Sequence, residues 1–105
     1  MKHNVLFDPA ADADLIELYE YIAARAGLAV ARRYINQIVD YCALFETFPQ
    51  RGMAHDELGK GIRIVGFRRK ASIVFQVDQE TVTIMRILHR GKSLGGAEDM
   101  EEDDF

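Results

Sequence analysis

Nine lysines and arginines fall between residues 46 and 93, against five acidic residues, in a chain whose overall charge is −4. Arg63 and Arg86 stand on strand-like runs, Arg68, Arg69 and Lys70 fall in the hairpin after the first of these, and Arg90 and Lys92, together with His89, follow the last. Cations gathered in this way support two kinds of chemistry. They bind anions, through long-range attraction and charge-assisted hydrogen bonds. They also serve RNA cleavage, which needs a group to take the 2′-OH proton, a donor for the leaving oxygen and positive charge around the phosphorane. Arg86 stands apart from the rest. It lies between Met85 and Ile87, so its charge requires a buried partner, an exit to one face or a function. The plainer reading is a set of solvated strand ends, one or two of them paired with Asp78 or Glu80. Exposed pairs of that kind contribute only about 0–1 kcal/mol. Residue types alone leave both readings open.

Other chemistries find less support. His3, His55 and His89 have no second His or Cys at ligand spacing, so no zinc site is expected. The "GKS" at 91–93 lacks the upstream glycine of a phosphate-binding loop and is followed by no helical pattern. Asp56-Glu57 reads as a solvated loop pair. Cys42 falls on an apolar helix face, where a small buried hydrophobe is the default. As the only cysteine, it permits no intrachain disulfide, which fits a reducing, cytoplasmic setting. No apolar run approaches the ~18 residues of a membrane span, and no cofactor is expected.

The elements that must position the cations follow from periodicity. Residues 3–7, "HNVLF", read as a short strand. Asp8-Pro9 then marks a helix start, with Asp as N-cap and Pro at the first helical position. Asp12 and Asp14 place negative charge near that positive helix end. Leu15, Leu18, Tyr19, Ile22 and Ala26 form one apolar stripe, and Gly27 ends the helix. A second helix is predicted from about Ala29 to Phe48, with Ala31, Tyr34, Ile35, Ile38, Cys42 and Phe45 on one face and Pro49 forbidding continuation. The short break makes the pair an αα-hairpin. Residues 49–61 read as a loop. Three β-branched runs follow, 62–67, 72–77 and 81–88, joined tightly enough to require antiparallel hairpins. The expected fold is α+β, in the order β-αα-βββ, with a helical hairpin on one face of a four-stranded antiparallel sheet. A single domain is expected over 1–96, followed by an acidic tail at 97–105. Residues 94–105 hold six acidic residues and no basic one.

With these residues in order, the chain resembles the RelE/ParE superfamily, the toxic halves of bacterial type II toxin–antitoxin pairs. The resemblance rests on the element order, "FPQRG" after the second helix, "GIRI" at 61–64 and the closing "IMRILHRGKS", and covers about residues 3–93. The early "FDPAADADLIELYEYIA" and the "RILH" ending followed by basic residues are similar to the ParE branch. That branch implies a toxin that poisons DNA gyrase or another topoisomerase by binding rather than by its own catalysis, with Arg63, Arg86, His89, Arg90 and Lys92 as target contacts. RelE-like members instead cut mRNA on the ribosome. Here Arg63, Arg86 and His89 would form a reduced catalytic set, but all four tyrosines (Tyr19, Tyr21, Tyr34, Tyr41) lie in the predicted helices and none follows the last strand. A third reading is a non-toxic binding module of the same fold. The resemblance also implies a cognate, ParD-like antitoxin that lays an amphipathic helix in a groove. Leu28, Val30 and Val39 of the hairpin and the basic Arg68 and Arg69 are the expected contacts.

Overall fold

A computed structural model of the chain describes residues 2–68 and 70–89. The chain opens with strand β1 (Asn4–Phe7), followed by helices α1 (Pro9–Ala26) and α2 (Leu28–Ala43) and a 3₁₀ turn at Leu44–Glu46. Strands β2 (Met53–Ala54), β3 (Ile62–Phe67), β4 (Ala71–Val77) and β5 (Thr81–His89) complete it, with a second 3₁₀ turn at Asp56–Leu58. The helix start predicted at Asp8-Pro9 is present: the Asp8 carboxylate accepts from Ala10 N at 3.4 Å and Pro9 takes the first helical position. Gly27, at φ 96°, closes α1 through its N–H to Ala23 O and opens α2 in the same residue, which makes the hairpin tight.

The sheet differs from the expectation in two respects. It has five strands in the order β1-β5-β4-β3-β2, and it is mixed, because β1 runs parallel to β5. Hairpin turns fix the antiparallel pairs β3–β4 and β4–β5 locally. No turn fixes the partner of β1, which joins the sheet beside the last strand through Asn4 N to Glu80 O and Asp8 N to Ile84 O. The fifth strand, β2, is two residues long and lies within the stretch read as loop. It pairs Met53 with Ile64 and Ala54 with Arg63. Helix α2 also stops earlier than predicted, its last turn tightening to 3₁₀ after Ala43.

One face of the sheet carries both helices. Ala11, Leu18 and Ile22 of α1 and Ala31, Tyr34, Ile38 and Cys42 of α2 meet Phe67, Ile73, Phe75, Val82, Ile84 and Ile87 in a single buried core. Phe45, just past α2, stacks on Phe75 with ring centroids 4.3 Å apart. The opposite face holds a smaller cluster of Ile62, Val74 and Leu88, with Ile64 and Met85 beside it. Between Val74 and Phe75 the register with β5 slips by one residue, so Met85 is the extra residue of a β-bulge. Among the described residues, no helix is long and apolar enough to cross a membrane.

Candidate functional site

Arg86 follows the bulge, and its partner is Asp14. Strand β1 ends at Phe7, opposite Ile84, so the next stretch of the β5 edge has no strand beside it. Helix α1 fills the gap with the Asp14 carboxylate, which accepts from Ile87 N at 2.8 Å. The same carboxylate takes the Arg86 guanidinium in a fork, Nε to Oδ2 at 2.7 Å and Nη2 to Oδ1 at 3.0 Å. Asp14 is 8% exposed, whereas the Arg86 side chain is 44% exposed. The hydrogen bonds to Asp14 hold the Arg86 pKa above its ordinary value. Asp14 had been read only as favourable charge near a helix start. Its position was the missed signal: with Ala11, Leu18 and Ile22 it keeps the three- and four-residue spacing of the buried face of α1.

The remaining expected site residues are separated. Arg63 turns toward the β2 side of the sheet, where its Nε donates to Arg51 O at 2.9 Å and its Nη2 to Gly52 O at 3.3 Å. Arg86 turns to α1. The two arginines therefore sit toward opposite flanks of the sheet, with β4 between their strands, and the single cationic face expected for them is not formed. His89 is buried, its ring 5.0 Å from that of Tyr21 in α1. Arg25 lies over the same Tyr21 ring at 3.8 Å. Asp78 pairs with no arginine among the described residues. Its carboxylate accepts from Glu80 N at 2.9 Å and Thr81 N at 2.7 Å, and these amides hold its pKa below the usual carboxylate value. Arg69, Arg90, Lys92 and the tail at 97–105 lie outside the described residues.

Of the expected antitoxin contacts, Leu28 (59% exposed) and Val39 (38%) are open. Eleven residues apart, they fall on one side of α2. Val30 is on the other side, partly buried against the core. Arg68 occupies the β3–β4 turn at φ 55° and lies exposed, its Cζ 5.8 Å from the Phe67 ring. Phe67 in turn meets Tyr41 at 5.2 Å and Tyr34 at 5.7 Å. Arg51 continues the series, with its Cζ 5.4 Å from Tyr41 and 5.8 Å from the exposed Phe48. The sequence marks Arg51 and Phe48 only as part of "FPQRG", and loop composition hides that Arg51 lies over a helix tyrosine.

Two further groups narrow the chemistry. Burial pushes the Cys42 thiol up to about 12, which leaves it protonated and a poor nucleophile at neutral pH. His55 shares a hydrogen bond of 2.8 Å with Glu57, which lowers the Glu57 pKa. Among the described residues, no group of three or more His, Cys, Asp or Glu side chains is placed to hold a metal ion.

Comparison with known proteins places this geometry. Solved structures that share the fold include two from toxin–antitoxin systems. The chromosomal ParDE toxin–antitoxin system of P. aeruginosa superposes with a TM-score of 0.73 at 21% identity, covering 84% of this chain and 96% of that one. The RelBE2 toxin–antitoxin complex of Mycobacterium tuberculosis does so with a TM-score of 0.61 at 19% identity, covering 86% of this chain and 100% of that one. No curated protein sequence matches the chain. The model of the ParE toxin of the type II toxin–antitoxin system parDE matches residues 5–94, and with nearly the whole chain inside that match, the protein belongs to the ParE toxin family.

Proposed function

We propose that this ParE-family toxin acts in the cytoplasm by binding DNA gyrase or a related topoisomerase, and that a cognate ParD-like antitoxin neutralises it. The separation of Arg63, Arg86 and His89 carries the choice of binding over catalysis. An endoribonuclease needs its cations and its proton-transfer group around one phosphate. Here Arg63 is bound to backbone carbonyls, Arg86 is forked onto Asp14, and His89 is buried against Tyr21. Gyrase contact then falls to Arg90 and Lys92, which follow β5, with the β5 end as their support. The antitoxin helix lies along the Leu28–Val39 side of α2, whose exposed apolar side chains fit an amphipathic partner, and its acidic segment meets Arg68 and Arg69.

Purified toxin mixed with gyrase, ATP and supercoiled plasmid is expected to trap linear, protein-linked DNA, and the antitoxin is expected to abolish the effect. Ribosome-dependent cleavage of mRNA with no trapped DNA would overturn the reading in favour of a ribonuclease. Normal growth on expression without the antitoxin would mark a non-toxic binding module.

A further inference from the structure

We propose that the acidic residues 98–104 of this chain dock on the ladder of guanidinium groups and rings along the β3 side of the domain, as an internal competitor for that surface. The ladder runs from Arg68 over Phe67, through Tyr41, to Arg51 between Tyr41 and Phe48. Arg63 lies directly under its far end, holding the carbonyls of Arg51 and Gly52. Among the described residues, no carboxylate pairs with Arg51, Arg63 or Arg68. The Arg51 Nε is buried with no hydrogen-bond partner among them. Three positive charges on one strip thus have no carboxylate partner among the described residues.

The same strip borders an open sheet edge. Strand β2 pairs only with Arg63 and Ile64 and Gly52 packs beside Val65, so Gly66 and Phe67 have no described strand outside them. An extended segment laid there gains backbone hydrogen bonds as well as charge contacts.

Chain geometry selects the occupant. Strand β5 ends at His89, which lies across from Ala71, and Ala71 lies across from Phe67. The chain therefore leaves β5 two strand spacings, roughly 10 Å, from the Arg68 end of the ladder. Residues 90–97 can extend about 26–29 Å. That length crosses the gap to the Arg68 end with slack, so the residues after it can follow the ladder from Phe67 to Arg63, about 13 Å along β3. Residues 98–104 then offer six carboxylates with no basic residue among them, and Phe105 follows. Each exposed charge pair is weak, but tethering gives the segment a high effective concentration at the ladder. The contact is populated at low salt and yields to a competing polyanion. It is independent of the gyrase reading, because it needs neither target nor antitoxin.

The test compares the full-length protein with a full-length variant whose six acidic residues in 98–104 are changed to their amides. Heteronuclear NMR reads the Nε–Hε signals of Arg51 and Arg68 and the backbone amides of Gly66 and Phe67. Neutralising the segment should shift these signals and leave those of Arg32 and Arg33 in place. Raising NaCl to about 0.3 M, where charges screen within several ångströms, should move the parent signals to the variant positions. A synthetic peptide of residues 97–105 should restore the shifts in the variant. Its affinity should fall about tenfold when Arg51→Gln and Arg68→Gln are added, the loss expected from two exposed charge pairs. Unchanged ladder signals would overturn the proposal. So would shifts that scale with protein concentration, which would place the segment on a second copy, or equal binding of a single-stranded RNA homopolymer to parent and variant.

Discussion

Removing Arg86 and removing Asp14 are not equivalent, although the two share one ion pair. Asp14 is buried and cannot turn to water, whereas Arg86 is half exposed and can. Arg86→Met strands a buried carboxylate and is expected to cost about 3 kcal/mol. Asp14→Asn keeps an acceptor for Ile87 N and releases Arg86 to solvent, for about 1–2 kcal/mol. The double variant should cost at least about 1 kcal/mol less than the sum, since each single change leaves the other partner uncompensated. Urea denaturation of the four proteins measures this. A similar double loss summing without coupling would mean the fork contributes nothing. The sequence made the need for a partner legible, because Met85 and Ile87 flank the charge. It did not make the partner legible, because 72 residues separate the two and only the end of β1 at Phe7 opens the gap that Asp14 fills. Arg63 was legible as a cation on a strand. The carbonyls that bind it come from a loop whose path no local pattern dictates.

At the scale of elements, the loop before β3 depends on one backbone conformation. Gly52 sits at φ 72°, and a Cβ there would lie 2.2 Å from Ile64 O. Gly52→Ala is expected to cost more than about 2 kcal/mol, and the loss should be local. Strand β2 would detach from β3 and the carbonyl anchors of Arg63 would go with it. Hydrogen exchange should show His55 N, which donates to Ile62 O, losing protection while α1 amides keep theirs. Asp8→Ala removes the cap of α1 and should cost about 1 kcal/mol, seen as a lower thermal midpoint with the spectrum of the folded state intact. The cap, the hairpin of helices and the β3-β4-β5 meander were all readable, because each rests on residues within a few positions of one another. The two-residue β2 was not. Its "MA" carries no strand signal, and it exists only because Ile64 and Arg63 offer it an edge.

For the molecule as a whole, the core sets an alkaline limit. Burial raises the Cys42 thiol from its ordinary 9.0 to about 12, and raises the Tyr34 phenol from 10.0 to about 12, with the nearby Arg68 opposing the Tyr34 shift. Both groups stay protonated in the folded chain while the unfolded chain releases their protons, so the folded state binds more protons above pH 9. Stability should hold below pH 9 and fall from there toward pH 12, more steeply once pH passes 10 and the tyrosine joins. Urea midpoints at pH 7, 9 and 10.5 measure this, and Cys42→Ala should remove the earlier part of the decline. The same burial predicts that thiol reagents label the protein only as it unfolds. The arrangement of strands has a consequence for biosynthesis. Strand β5 lies between the first strand and β4, so every chain shorter than about residue 81 leaves β1 without its sheet partner and α1 without the strand that it chiefly packs on. Such a nascent chain lacks the finished fold, and every surface that depends on β5 comes into being only when the last strand has been made.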